Sequence, residues 1–432
     1  MSMWRRPKGR RRIGEFEHDE SRRSPVKRNA LGAIGAQGAQ AVGSFVLQII
    51  VVHALGLRGL GTFSILYGVM VLVAGILTGF VGDSLVVLDR RERSIRSALQ
   101  QYAVGLGAIA GIIAALVASL SGLISVDQAI LFAVSVLFFG LEELTRRLLM
   151  SNVLFWRVAI IDLAAFIVVL IVSGVAALEH MLNLDAFLLA ITIGQIAAIL
   201  LGIRLLPREE RFAAGLRHAN YRSVAGYGIW RSSQQLLRPG LLTVARTLVT
   251  IFVGLSATGL LETARVYVAP AMLVVTGLTS FLFVSYARDK TAKVSGQLPK
   301  ADRAVAALLG VTVLMGAVLL IALPLVGHVL FGATPQLAAV LGWLLYTATV
   351  SAVTPYGALA AVGGRQSAVF AIRLGDTLLS ALSVVILLAL GGSPGLVPIV
   401  MCVGSIAGGL AIRIFILVPT VRRERRESVQ AG

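Results

Sequence analysis

The chain has 432 residues, 57% of them hydrophobic and 14% charged, with a formal net charge of +18. A chain so apolar belongs in a bilayer, where length no longer counts domains. Its positive charge is no nucleic-acid footprint, because the basic residues sit in short connections between apolar spans, and the lone Cys402 excludes an intramolecular disulfide.

Residues 1–29 are basic, contain proline and show no periodicity, so they are expected to form a disordered cytoplasmic tail drawn to anionic headgroups. They do not fit a cleaved signal peptide, because the apolar stretch that follows is too long. Apolar spans then recur near 30–55, 62–87, 99–122, 127–149, 156–178, 184–206, 224–253, 259–286, 304–327, 336–361, 367–390 and 396–418. These runs are continuous rather than alternating, which excludes a β-barrel and predicts an all-α polytopic membrane protein of about twelve helices.

The connections alternate in charge. Arg90, Arg91, Arg93 and Arg96 lie in one, Arg146, Arg147 and Arg157 flank the next basic one, and Arg208, Arg211, Arg217 and Arg222 follow the sixth span. The intervening breaks at 121–128, 177–185, 331–336 and 391–395 carry no Lys or Arg. The positive-inside rule therefore predicts a multi-pass plasma-membrane protein with both termini cytoplasmic.

At an offset of 198 residues, Gly56, Leu57 and Gly61 recur as Gly254, Leu255 and Gly259. The same offset sets Gln40 opposite Arg238 and Gln48 opposite Arg246. This repeat predicts two pseudo-repeated six-helix lobes around a central cavity, at 30–206 and 222–418. A basic connector at 207–221, which reads as an interfacial amphipathic helix, would join them, and a cytoplasmic tail at 419–432 would follow.

The stretch 222–253 is the most informative. It is long enough to span, yet it carries Arg231, Arg238 and Arg246, each of which costs roughly 2.5–3.5 kcal/mol near a helix centre. Steps of about 700° and about 800° predict that the three share one face as a ladder. Gln234 lies beside them, and Pro239 predicts a kink in mid-span. Two readings follow: a cationic, wet path for an anionic substrate, or guanidiniums paired with carboxylates of other helices.

Further polar residues at membrane depth are Arg265, one turn after Glu262, and Gln37, Gln40 and Gln48 on the first span. The glutamines share a broad face suited to sugar hydroxyls or to interhelical hydrogen bonds. Glu142–Arg146 and Glu143–Arg147 are spaced as i,i+4 clamps. Asp83, Asp162 and Asp376 are candidate proton- or cation-coupling carboxylates. Neither a Walker sequence nor a Cys/His cluster of metal spacing is present, so no cofactor, metal or enzymatic step is predicted.

Residues 29–66, with Leu55, Gly56, Gly61 and Phe63, followed by Gly79, Gly82, Asp83, Asp89 and Arg90, resemble the opening of bacterial polysaccharide flippases. These belong to the multidrug/oligosaccharidyl-lipid/polysaccharide exporter superfamily. The turn reads Gly-Leu-Arg-Gly-Leu-Gly, where family members often carry Gly-Pro-Glu, and no particular sugar is assigned. The resemblance implies movement of a polyprenyl-diphosphate oligosaccharide from the inner to the outer leaflet, beside other polysaccharide-assembly proteins. Arg231, Arg238, Arg246 and then Arg265 would hold the diphosphate, with Gln234 beside them as a further substrate-binding residue, while Gln37, Gln40 and Gln48 on the opposite wall would face the sugar. Rival expectations are a cation-coupled multidrug exporter of the same superfamily and a membrane oligosaccharide polymerase or ligase.

Overall fold

The structure, a computed structural model, describes residues 20–211, 219–288, 294–332, 334–362 and 365–430. Among the described residues every regular element is a helix, as a bilayer demands of a chain whose backbone groups must be satisfied within each segment. Ten stretches among the described residues are long and apolar enough to cross a membrane. The first, Gln37–Leu85, folds back at Gly56, whose φ of 66° breaks the helical path. It therefore supplies two crossings, α1 (20–55) and α2 (57–87). The helix Tyr221–Phe252 carries the arginines and brings the total to twelve.

The others are α3 (Arg93–Leu120), α4 (Val126–Ser151), α5 (Phe155–Leu178), α6 (Leu184–Leu205), α7 (Tyr221–Phe252) and α8 (Leu255–Arg288). They continue as α9 (Val294–Phe331), α10 (Leu337–Val362), α11 (Gln366–Ala389) and α12 (Pro394–Glu427). Two departures stand at the ends. Helix α1 starts at Glu20 and the last helix runs on to Gln430, so residues 20–29 and 419–430 are helical where tails are expected. Once a long helix is nucleated, each added residue gains a hydrogen bond for little entropy, even where the sequence turns polar. The expected connector helix falls partly on 212–218, outside the described residues; its described flank holds a short turn, Arg208–Glu210.

Helix pairings repeat between the halves. In the first, α1 packs on α5, α3 on α4, α4 on α6, and α5 on α6; in the second, α7 packs on α11, α9 on α10, α10 on α12, and α11 on α12. The two lobes meet along α2–α7 and where the α1–α2 hairpin crosses α8. At the ends bearing the Lys/Arg-poor connections, here called the bare end, the repeated turns interlock. A Cβ on Gly61 would land on the Leu255 carbonyl oxygen, and one on Gly259 would land on the Leu57 carbonyl oxygen. Both turns are made by glycines at positive φ, Gly56 at 66° and Gly254 at 115°, a region other residues enter only with strain. The lobes thus close at the bare end backbone against backbone, which no side chain would permit.

Helix α2 lines its seam with further glycines. Gly68 lies under Arg246, Gly75 under Pro239, and Gly79 against the backbone of Ser232, while Gly228 of α7 admits Phe80. Ser232 donates to the Ile76 carbonyl and Thr243 to that of Gly68. The α1–α8 seam is different. It is joined at Gln48–Arg265, but toward the basic end Gln37, Gln40 and Val42 of α1 and Leu273 and Val274 of α8 are exposed.

Candidate functional site

The charged residues at membrane depth gather in three places, and the first joins the lobes. Helix α7 passes Pro239 without a break, so the expected kink does not interrupt it. Near its basic end Arg231 reaches Asp83 of α2 at 2.7 Å and donates to Gln234 at 3.1 Å. A π turn at Thr78–Gly82 immediately before Asp83 adds one residue to the helical register and turns that carboxylate toward α7.

Near the bare end Arg246 is 7% exposed and donates to Glu262 of α8 at 2.7 Å. Glu262 also takes Arg265 at 2.6 Å, and Arg265 reaches Gln48 of α1 at 3.0 Å. Gln48 is anchored in turn to the Ser44 carbonyl. A Cβ at Gly68 would lie 2.6 Å from an Arg246 nitrogen, so the guanidinium needs that glycine. Two of the three ladder arginines are therefore ion-paired across helices, and Arg246 is rotated off the shared face toward α2.

The second cluster lies inside the N-terminal lobe. Arg146 of α4, its side chain 2% exposed, donates to Asp162 of α5 at 2.8 Å and to Glu143 at 2.6 Å. The i,i+4 partner Glu142 stands 3.8 Å away, and Arg147 lies 3.5 Å from Glu143. Glu142 and Asp162 border a cavity of about 90 Å³ whose wall also includes Gln40, Tyr67 and Gln195. The Gln195 side-chain oxygen is buried there without a hydrogen-bond partner.

The third cluster lies inside the C-terminal lobe. Arg373 of α11 donates to Asp376 at 3.3 Å, and Asp376 also accepts the Thr377 hydroxyl. Gly404 and Gly408 of α12 leave room for Asp376. Arg238 is exposed and has no ion pair or hydrogen bond among the described residues.

Of the predicted glutamines, Gln48 joins the inter-lobe network, Gln234 holds Arg231, Gln40 borders the N-lobe cavity and Gln37 is exposed. Asp83, Asp162 and Asp376 each face a guanidinium. Sequence reasoning assigned Glu142 to a clamp and passed over Tyr67 and Gln195, because nothing local marks a buried tyrosine or glutamine as bordering a cavity. Among the described residues no group of three His, Cys, Asp or Glu side chains stands close enough to hold a metal ion.

No family model matches the chain, and no curated protein matches it. Solved structures do. An inward-facing multidrug resistance MATE family transporter of the MOP superfamily aligns with a TM-score of 0.63 at 12% identity, over 90% of this chain and 96% of the other. A MOP superfamily transporter from Pyrococcus furiosus, described as having a binding pocket of reverse polarity that suggests a different function, aligns at 0.63 and 13%, over 92% and 95%. An outward-facing multidrug resistance MATE family transporter aligns at 0.56 and 13%, over 94% and 96%. At these identities the likeness shows the fold: a MATE-like bundle of two lobes, in a multi-pass membrane protein.

Proposed function

We propose that the chain is an alternating-access exporter of the plasma membrane, in which rocking of the two lobes carries an amphipathic solute outward under cation coupling. The architecture supports this reading, since lobes built on repeated topology with a cleft between them are a recurrent transporter plan. So do two structural neighbours, both described as multidrug resistance transporters. The interlocked bare end agrees with the higher similarity to an inward-facing form and fits an outer side formed by the Lys/Arg-poor connections.

The observation that carries the coupling is the N-lobe cavity. Glu142 borders it with its nearest guanidinium nitrogen 3.8 Å away, beyond a good hydrogen bond. This cluster holds three carboxylates, Glu142, Glu143 and Asp162, against the two guanidiniums of Arg146 and Arg147. Glu142 and Asp162 are thus placed to take up a proton or cation in one lobe arrangement and release it in the other. Asp83 and Asp376 would couple only by releasing Arg231 and Arg373. In proteoliposomes, a proton or sodium gradient should drive dye efflux by the wild type, and Glu142→Gln should reduce it at least about tenfold with unchanged insertion. Gradient-driven efflux at the wild-type rate by that variant would overturn the coupling role.

A second reading is favoured by one observation, the free guanidinium of Arg238. A polyprenyl-diphosphate oligosaccharide would bring phosphate oxygens to it, with Gln37 and Gln40 on the opposite wall facing sugar hydroxyls and membrane lipids holding the tail. In this reading Arg231, Arg246 and Arg265 would bind phosphate by exchanging a carboxylate for it. Arg231, with its side chain 32% exposed, is the most available of them. The pocket of reverse polarity described for the Pyrococcus furiosus protein supports the idea that this fold admits such a change of substrate charge.

A further inference from the structure

A second and larger cavity, of about 480 Å³, lies within the C-terminal lobe, between the start of α11 and the far end of α12. Its depth in the membrane follows from α12. At 1.5 Å per residue Phe415 stands about 30 Å from Pro394, the thickness of the hydrocarbon layer. Phe415 is 74% exposed, so its ring meets acyl chains at the edge of that layer. Thr420 and Arg423, both on the cavity wall, stand about 8 and about 12 Å further on, at headgroup level.

The wall divides by chemistry. Phe415, Ile416 and Pro419 form an apolar bed, and four charged residues, Arg365, Arg423, Glu424 and Glu427, surround the rest. These four are not equivalent. Glu424 accepts the backbone amides of Val294 and Ser295 at 3.0 and 2.9 Å, so its charge is spent on the open first turn of α9. Glu427 holds Arg423 at 2.9 Å, but the two side chains are 61% and 76% exposed, and such a pair opens at little cost. Arg365 is exposed and makes no ion pair or side-chain hydrogen bond among the described residues.

The cavity thus offers one unpaired guanidinium and one loosely held Arg–Glu pair above an apolar bed. A purely anionic headgroup would gain the guanidiniums but meet both carboxylates. A headgroup carrying both signs meets each with its opposite.

We infer that this cavity binds a phospholipid whose headgroup joins a phosphate to a primary ammonium, of the phosphatidylethanolamine class. Arg365 and Arg423 donate to the phosphate oxygens, and the ammonium donates to Glu427. Phe415, Ile416 and Pro419 bed an acyl chain. A trimethylated ammonium has no N–H to donate, which excludes the choline analogue from the Glu427 contact. The lipid bridges α11 to α12 and does not depend on the exporter reading.

The test titrates the delipidated full chain in detergent with phosphatidylethanolamine, phosphatidylcholine and phosphatidylglycerol of identical chains, counting bound lipid by native mass spectrometry. Phosphatidylethanolamine should bind at least about threefold more tightly than either of the others. Arg365→Gln should weaken it about threefold to tenfold. Glu427→Gln should erase its advantage over phosphatidylcholine and make phosphatidylglycerol the preferred lipid, because it removes both the ammonium's partner and a repelling charge. Glycerophosphoethanolamine, the headgroup without chains, should bind at least about tenfold less tightly than the lipid.

Equal binding of the three lipids overturns the site, as does wild-type affinity in Arg365→Gln or an unchanged order of preference in Glu427→Gln. Tighter binding of phosphatidylglycerol to the wild type overturns the headgroup assignment in favour of a plain anionic lipid. Glycerophosphoethanolamine binding as tightly as the lipid overturns the acyl-chain bed. Both substituted side chains are exposed, so neither change strands a buried partner.

Discussion

The two lobes share a helix plan but handle charge in opposite ways. In the N-terminal lobe Arg146 is enclosed by Glu142, Glu143 and Asp162, and the spare charge beside the cavity is a carboxylate. In the C-terminal lobe Arg373 has one carboxylate and Arg238 has none, so the spare charge is a guanidinium. The backbone contact between the lobes, by contrast, is reciprocal down to the glycine positions. Backbone geometry sets how the lobes pack, and a change there is felt by both. Interior side chains set what each lobe attracts, and they vary without disturbing the packing.

The sharpest way to break this contrast is to delete one guanidinium from each lobe. Arg146→Met should destabilise the protein by about 3–5 kcal/mol, because it strands buried carboxylates. Arg238→Met, which removes no partner, should change stability by less than about 0.5 kcal/mol. Denaturation in detergent with intrinsic fluorescence measures both, and comparable losses would mean that the lobes do not differ as described.

Smaller effects are expected at the shared turn. Gly61→Val and Gly259→Val should each cost about 1–3 kcal/mol by overpacking and should prise the bare end apart. In a Cys402→Ser background, a cysteine at Ala257 would then react faster with an impermeant maleimide. Reciprocity requires the two variants to behave alike, and an effect from only one would show that the interlock is one-sided. Least of all should change at the seam pair: Arg231→Gln should cost well under about 1 kcal/mol, since Arg231 is a third exposed and the pair is screened. A large loss of thermal stability there would show that the α2–α7 seam depends on the ion pair and not on its glycines.

Much of the fold was legible because it is written locally. The run lengths, the alternation of basic and bare connections, and the recurrence of Gly56, Leu57 and Gly61 as Gly254, Leu255 and Gly259 can all be read along the chain. The recurrence did not reveal that the two turns touch each other. The candidate site was legible only as a set of residues. Helical spacing paired Glu142 with Arg146, yet Glu142 stands farther off than both Glu143 and Asp162, and Asp162 lies on the next helix. Arg238 and Arg246 look equivalent in the sequence, and their fates diverge because Glu262 and the cradle at Gly68 serve only the second.

What the sequence determined by itself is a chain of about twelve membrane-crossing helices in two related halves. Each helix must satisfy its own backbone in lipid, so hydropathy and loop charge suffice to read it. Only the tertiary structure decided which of the α7 arginines are spent on carboxylates and that Arg238 has none among the described residues. Pairing at membrane depth depends on the rotation and register of one helix against another, and a shift of a single residue, such as the π turn before Asp83, is enough to redirect it.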